Sequence, residues 1–226
     1  MDIEKILAAC DHTLLLQDAS RDEIKTICDD AKKYKTASIC IPPCYVKSAS
    51  EYLAGSVPIC TVIGFPNGYS VPEAKYLEAA AALRDGADEV DTVINVGWVK
   101  DGQYGDVLRE LKGIRAAMDA VCPGKILKVI IETCLLTDDE IVRLCDTVAE
   151  SGADYIKTST GFSKAGATPH AVALMASRIA EQTHVPQLKI KAAGGISSLA
   201  DAEEYLSLGA DRLGTSRIVK IVKSMQ

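Results

Sequence analysis

The sequence predicts a (β/α)8 barrel, an α/β fold in which eight parallel strands alternate with helices. Short apolar runs recur through the 226 residues at intervals of about 28 residues, the length of one strand–helix unit. These runs are nearly continuous in apolar residues, as in strands that are covered on both faces. A Gly-Ala-Asp triplet precedes three of them, at 86–88, 152–154 and 209–211. We therefore expect one barrel domain over residues 1–226, with a short helix at its N-terminus.

An open, doubly wound sheet is the alternative arrangement of the same elements. That arrangement carries a Gly-x-Gly-x-x-Gly motif after its first strand when it binds dinucleotides, and the sequence has none there. The barrel is therefore the preferred prediction. Its strands are expected at 11–15, 37–41, 57–63, 88–94, 126–132, 154–158, 188–192 and 211–215.

The segments between these strands carry helix signals. Serine or threonine stands three residues before glutamate at Ser20–Glu23, Ser70–Glu73 and Thr137–Glu140, a spacing that predicts capping boxes. Pro169 directly after Thr168 predicts a further helix start. Apolar residues recur with helical spacing at 24, 27, 28 and 31 and again at 141, 144, 145 and 148. Helices are thus expected between successive strands.

The charge distribution excludes some classes of partner. The net charge is −6, with 31 acidic and 25 basic residues and no basic run, so we do not expect nucleic-acid binding. No apolar run approaches the roughly 18 residues of a membrane span, and the acidic start M-D-I-E does not resemble a signal peptide. The sequence therefore predicts a soluble, cytoplasmic protein without a membrane partner.

The potential metal ligands are scattered. The eight cysteines include no Cys-x-x-Cys pair, and His12, His170 and His184 lie far apart in the sequence. This pattern indicates reduced cysteines within the core. We expect neither a metal site nor another cofactor.

Three charged residues interrupt apolar runs near the C-terminal ends of predicted strands. They are Asp91, Lys157 and Lys191. In a (β/α)8 barrel this end of the strands carries the active site. The structural alternative is that each lysine extends to the rim or pairs with a carboxylate. Two lysines on neighbouring strands favour catalysis, because adjacent ammonium groups repel and folding alone does not require them.

Such a lysine pair suits Schiff-base chemistry. A free lysine has a pKa of about 10.4, so only about one in a thousand is neutral near pH 7.4. Burial and a neighbouring cation both lower a lysine pKa, and the neutral amine is the form that attacks a carbonyl. A nearby aspartate then serves as the proton carrier.

The loops after the last three predicted strands are rich in glycine and hydroxyl residues. Barrels frequently bind phosphate after strands 7 and 8, where backbone N–H groups and helix N-termini face the anion. Each glycine-rich loop alone is weak evidence, but their positions favour a phosphate site. The candidate residues are Thr160, Gly161, Gly194, Gly195, Gly214, Thr215 and Ser216.

Taken with these motifs, the sequence closely resembles the deoxyribose-phosphate aldolases, which are class I aldolases with the TIM-barrel fold. The resemblance covers nearly the whole chain, through the segments DHTLL, ICIPP, EVDTVINVG, KVIIET, DYIKTSTGF, KAAGGI and GTS. The resemblance implies that Lys157 forms the Schiff base, that Lys191 is the second active-site lysine and that Asp91 is the acid/base. It also implies that Asp11 and Thr13 of the DHT segment lie in the substrate pocket.

The implied reaction is reversible cleavage of 2-deoxy-D-ribose 5-phosphate to D-glyceraldehyde 3-phosphate and acetaldehyde. The protonated imine serves as the electron sink, so the resemblance implies no metal. The implied partners are small phosphosugars and aldehydes. The sequence leaves open whether the chain forms a homo-oligomer, either a dimer or a tetramer.

The sequence departs from some members of this family at two places. Phe162 stands where those members have lysine, so a phosphate contact is either missing or supplied by Lys164. The sequence also ends K-S-M-Q, without the C-terminal tyrosine that some members bring to the active site.

Two other functions remain open at this point. One is another phosphosugar barrel enzyme, an isomerase or epimerase, which needs a carboxylate or histidine base but no lysine pair. The other is a non-catalytic barrel that binds phosphorylated metabolites. It would keep the glycine loops without a reason to keep Lys157, Lys191 and Asp91 together.

Overall fold

The closed barrel predicted from the sequence is confirmed. The computed structural model describes residues 2–183 and 186–225, so His184 and the last residue of the K-S-M-Q end lie outside the described residues. All eight strands pair in parallel in chain order, and the eighth pairs with the first. The strands are β1 (Cys10–Thr13), β2 (Ser38–Ile41), β3 (Ile59–Ile63), β4 (Glu89–Val93), β5 (Ile126–Ile130), β6 (Tyr155–Lys157), β7 (Lys189–Ala193) and β8 (Arg212–Thr215).

Helices connect successive strands, and the predicted short helix precedes the first strand. They are α1 (Ile3–Ala8), α2 (Arg21–Tyr34), α3 (Val46–Leu53), α4 (Pro72–Arg84), α5 (Val96–Lys100), α6 (Tyr104–Asp119), α7 (Asp138–Glu150), α8 (Pro169–Ala180), α9 (Leu199–Ser207) and α10 (Ile218–Ser224). Two single 3₁₀ turns, Pro43–Tyr45 and Thr133–Leu135, lie in the loops after β2 and β5. Among the described helices, none is long and apolar enough to cross a membrane.

Three of the four predicted helix starts are confirmed. Ser20 and Thr137 form capping boxes, and the Thr168 hydroxyl accepts the Ala171 N–H. The capping box predicted at Ser70 is wrong. Pro72 is the first residue of α4, so Val71 precedes the helix and Glu73 lies one position too early to reach back to a serine cap.

The Gly-Ala-Asp triplets join neighbouring strands at the N-terminal end of the barrel. The glycine of each triplet has a positive φ angle and ends the preceding helix segment. Each aspartate carboxylate accepts a backbone N–H from a residue of the preceding strand. The backbone N–H of the aspartate donates in turn to the carbonyl of that same residue. The pairs are Asp88 with Ile59, Asp154 with Leu127 and Asp211 with Ile190. The sequence repeat therefore encodes a repeated strand-to-strand bond.

Side chains alternate along each strand between two different environments. Outward positions such as Ile39, Val90 and Ile156 are fully buried and belong to the main apolar core between strands and helices. Inward positions are largely polar or charged, as at Asp91 and Lys191. The apolar core thus lies outside the barrel, and a dense charge cluster lies within it.

Candidate active site

A cavity of about 570 Å³ opens at the C-terminal end of the barrel. It lies among the loops that follow β1, β6, β7 and β8. The structure places most of the predicted site residues on its wall, namely Lys157, Thr13, Thr160, Gly161, Gly194, Gly195, Gly214, Thr215 and Ser216. The other three, Asp91, Lys191 and Asp11, are fully buried deeper in the barrel and are not part of this wall.

Asp91 connects the cavity to the buried charges. Its Oδ2 atom lies 2.7 Å from the Nζ atoms of both Lys157 and Lys191. Its Oδ1 atom lies 2.8 Å from Nζ of Lys128, on the neighbouring strand β5. The two predicted lysines therefore share one carboxylate oxygen, and this shared anion offsets the repulsion between them.

A second layer of ion pairs lies further from the cavity. Arg212 on β8 contacts Asp11 at 2.6 Å and Glu89 at 3.3 Å. Glu89 in turn lies 2.6 Å from Nζ of Lys128. Asp11 contacts Lys191 and accepts the Ser38 hydroxyl, so its connection to the cavity runs through Lys191, Asp91 and Lys157. The charges form one continuous network across the barrel interior.

Mutual attraction outweighs burial for the charges of this network. Burial alone raises the pKa of Asp91, but the surrounding lysine ammonium groups hold this pKa well below its usual range. Burial lowers the pKa of Lys191, but Asp11 and Asp91 hold it well above its usual range. The pKa of Lys128 is likewise raised, against its burial, first by Asp91. These three groups therefore stay charged near neutral pH.

Two thiols lie beside Asp91. Cys60 donates to Asp91 Oδ1 at 3.1 Å, and Lys128 Nζ lies 3.2 Å from the Cys60 sulfur. Cys40 is close enough to Cys60 that their hydrogen bond lowers the pKa of Cys40. Ligand atoms of Cys40, Cys60 and Asp91 lie within 4.8 Å of one another, but the Lys128 ammonium already contacts two of them. The absence of a metal site stays a prediction.

The glycine-rich loops present unused backbone donors to the cavity. Among the described residues, no hydrogen bond uses the N–H of Gly161, Gly194, Gly195 or Ser216. All four residues line the cavity wall. Such a group of free N–H donors can bind an anion.

Several residues of the site were missed in the sequence. Lys128 and Glu89 interrupt apolar strands in the same way as Lys157, so the signal was present but was not used. Arg212 lies at the start of its strand and resembles an ordinary exposed residue. Arg217 and Lys220, the latter on α10, also line the cavity.

A second cavity of about 280 Å³ lies beside the first, among the loops after β3, β4, β5 and β6. Thr160 and Phe162 line both cavities. Phe162 is 45% exposed, and its ring contacts that of Phe65 edge-on with centroids 5.3 Å apart. Phe162 therefore places an aromatic ring where the two cavities meet.

Comparison with known proteins gives a consistent result. The model of the DeoC/LacD family aldolases matches residues 5–211. A deoxyribose-phosphate aldolase of Streptococcus agalactiae is 55% identical over 226 residues, which cover 100% of this chain and 97% of that protein. One from Streptococcus pyogenes is 56% identical over 224 residues, covering 99% and 96%.

A solved structure shows the same fold. The tetrameric deoxyribose phosphate aldolase of Aeropyrum pernix superposes with a TM-score of 0.89 at 33% identity, covering 99% of this chain and 92% of that chain. The family resemblance seen in the sequence motifs is confirmed. The chain belongs to the deoxyribose-phosphate aldolases of the DeoC/LacD family, which are carbon–carbon lyases.

Proposed function

We propose that this enzyme cleaves 2-deoxy-D-ribose 5-phosphate reversibly to D-glyceraldehyde 3-phosphate and acetaldehyde through an imine on Lys157. One observation carries the assignment of the nucleophile. Of the four cations that the described residues contribute to the barrel network, Lys157 is the one that lines the cavity. Lys128, Lys191 and Arg212 lie behind it.

The ion pairs also distinguish Lys157 from the other cations of the network. Within the described residues, Lys157 pairs with a single carboxylate, that of Asp91, which it shares. Each of the other three cations pairs with at least two carboxylates. Lys157 is therefore the cation of the network that has the fewest carboxylate partners.

The charge balance of the network supports the same conclusion. The barrel interior holds three carboxylates, Asp11, Glu89 and Asp91, against four cations when every lysine is protonated. Uncompensated charge is costly in a dry interior. A neutral lysine at the cavity leaves three anions facing three cations, and it is the form that attacks an aldehyde.

The chemistry follows from this amine. Lys157 attacks C1 of the open-chain sugar and forms a carbinolamine, which loses water to give the protonated imine. When the C3 hydroxyl loses its proton, the C2–C3 bond breaks and its electron pair moves towards the imine. Glyceraldehyde 3-phosphate leaves, the remaining enamine is protonated at C2, and water then releases acetaldehyde and the free lysine.

Asp91 and Lys191 are proposed to move the protons in these steps. Both lysines contact the same oxygen of Asp91, so the carboxylate provides a direct connection from Lys157 to Lys191. Asp91 reaches the substrate hydroxyl through water, because it is itself fully buried behind the cavity wall. General acid–base catalysis of this kind contributes about 10²–10⁴-fold.

Phosphate recognition is proposed to rest on the free backbone N–H groups of the β6, β7 and β8 loops. Hydrogen bonds to charged groups contribute about 1.5–3 kcal/mol each. Two or three of them favour the phosphorylated sugar by roughly 10²–10⁴-fold or more in catalytic efficiency. Arg217 and Lys220 also line the cavity and are the competing source of positive charge. Thr13 and Asp11 shape the pocket, the latter through Lys191.

The test is release of acetaldehyde from 2-deoxy-D-ribose 5-phosphate and from 2-deoxy-D-ribose. We expect cleavage of both, with a strong preference for the phosphate. Isomerisation or epimerisation without acetaldehyde, or binding without turnover, contradicts the proposed reaction.

Two variants then locate the phosphate contact. Gly195→Asp places bulk and negative charge at the proposed N–H site, and we expect it to abolish the preference while slow cleavage of deoxyribose persists. Arg217→Ala is the matched cation control and is expected to keep most of the preference. The reverse pattern contradicts recognition by backbone N–H groups.

The biological setting is proposed from the same reaction. The products suit the catabolism of deoxyribonucleotides, a cytoplasmic process. The Aeropyrum pernix relative is tetrameric, and we propose that this chain forms a dimer or tetramer. Its molar mass in solution, measured by light scattering, tests this assembly.

A further inference from the structure

Glu132 lines the second cavity and takes no part in the proposed reaction. Only 4% of its surface is exposed, yet its carboxylate forms no ion pair with the described residues. We propose that Glu132 is a positioning residue that fixes the loop after Lys157, and with it the phosphate-binding N–H of Gly161. This inference rests on the proposed function, because it assigns the phosphate to that loop.

The backbone of Glu132 is strained. Its φ and ψ angles are 56° and 63°, in the left-handed region that glycine adopts most readily. A non-glycine residue in this region is strained and persists where the surrounding structure imposes it. Such outliers concentrate at functional sites.

The strain arises from a bulge opposite the nucleophile. The N–H of Ile131 donates to the Lys157 carbonyl at 3.0 Å, and that of Thr133 donates to the Thr158 carbonyl at 2.8 Å. Between these two hydrogen bonds the chain after β5 moves on by two residues, whereas the chain at the end of β6 moves on by one. Glu132 is therefore the extra residue of the bulge. Bulges next to active sites re-aim a side chain. Here the bulge turns the Glu132 carboxylate towards the β6 loop.

That carboxylate holds Thr160. The Thr160 N–H lies 3.3 Å from each carboxylate oxygen, and its hydroxyl donates to Oε2. The same hydroxyl oxygen accepts the Phe162 N–H at 3.0 Å. These bonds secure the residues on both sides of Gly161, whose own N–H is left free at the cavity wall.

The direction of the effect separates positioning from simple electrostatics. A carboxylate near the phosphate site repels the anion, so its removal should tighten phosphate binding if charge alone matters. If Glu132 instead orders the loop, its removal should weaken phosphate binding. The two explanations therefore predict opposite signs.

The experiment compares Glu132→Gly with Lys35→Gly. Glycine accepts the left-handed backbone, so Glu132→Gly removes the carboxylate without adding strain. Lys35 has a φ angle of 51° at the end of α2, away from the cavities, and serves as the matched control. The dissociation constant of inorganic phosphate is measured by titration calorimetry. Steady-state kinetics give KM and kcat for both sugars.

We expect Glu132→Gly to weaken phosphate binding, and to raise KM for the phosphorylated sugar, by about tenfold, the effect of losing one good hydrogen bond to the anion. The kcat for plain deoxyribose should stay near that of the wild type. Thr160→Val should reproduce the defect, Thr160→Ser should not, and the Glu132→Gly/Thr160→Val pair should be no worse than either single change.

Unchanged or tighter phosphate binding in Glu132→Gly, or an equal loss with both sugars, overturns the inference. The phosphate titration needs no turnover, so it distinguishes this failure from a failure of the proposed reaction. If the wild type binds phosphate but does not release acetaldehyde, the reaction is wrong while the role of Glu132 is still decided by the binding data.

Discussion

Two buried lysines, Lys75 and Lys157, have similar exposure but different surroundings. Lys75 on α4 is 0% exposed, and its Nζ donates to the carbonyls of Gly68 and Val93 and to Glu110 of α6, at 2.6, 2.8 and 2.8 Å. All three ammonium hydrogens are therefore used. Lys157 is 3% exposed, contacts one shared carboxylate and faces a cavity. Burial alone does not identify a nucleophile, whereas unused donors at a cavity do.

The electrostatic balance differs as well. Burial dominates at the Lys75–Glu110 pair, where it lowers the pKa of Lys75 and raises that of Glu110. In the barrel cluster, neighbouring opposite charges outweigh burial at Asp91 and Lys191. The isolated pair braces the loop after β3, while the cluster places a lysine with unused donors at the cavity.

The largest effect is expected at Asp91. Asp91→Asn nearly preserves shape but removes the anion that joins the two lysines, so kcat should fall by roughly 10²–10⁴-fold. Circular dichroism should show a folded protein. Wild-type turnover in this variant would leave Asp91 a structural strand-end carboxylate.

A crossed pair of substitutions tests the comparison itself. Lys75→Met leaves buried Glu110 and two backbone carbonyls without their hydrogen-bond donor, so it should lower the free energy of unfolding by about 3–5 kcal/mol. Turnover per folded molecule should be unchanged. Lys191→Met should show the opposite pattern, with a larger effect on turnover than on stability. In this variant Asp11 still pairs with Arg212 and Asp91 still pairs with Lys128, so the free energy of unfolding should change less than in Lys75→Met. Turnover should fall because proton transfer by Lys191 is lost.

Urea unfolding and steady-state kinetics on both lysine variants supply the measurement. Loss of turnover in well-folded Lys75→Met, or full turnover in Lys191→Met, would contradict the separation of a structural Lys75–Glu110 pair from a catalytic barrel cluster.

The smallest effect concerns acid stability. The pKa of Asp91 in the fold is below the usual value of about 3.9, so its contribution to stability is complete above that pH and is lost as the pH falls below it. Between pH 4 and pH 3, Asp91→Asn should therefore lose stability less steeply than the wild type, by about 1 kcal/mol per pH unit. Urea unfolding at each pH gives both slopes, and equal slopes contradict the depressed pKa.

Much of the fold was predictable because its signals are local. Each predicted strand overlaps an observed one, since an apolar run and its flanking turn residues lie within a few positions of each other. The exception at Ser70 is also local: a proline two residues later decided where the helix begins.

The site was only partly predictable, because its contacts depend on strand register. Lys157, Lys191 and Asp91 stood out in their strands, but the sequence does not show that one oxygen serves both lysines. The Arg212–Asp11 pair joins the last strand to the first and exists only once the barrel closes. Lys75 lies in a segment that resembles an exposed helix, and only packing of α4 against α6 reveals its burial.

The central claim, that Lys157 is the imine-forming nucleophile, is tested most directly by trapping. The enzyme is incubated with acetaldehyde, reduced with borohydride, digested and analysed by mass spectrometry. We expect one ethyl group on Lys157, with the buried Lys191 and Lys128 unmodified. A stable adduct on Lys191, with Lys157 unmodified, would contradict it.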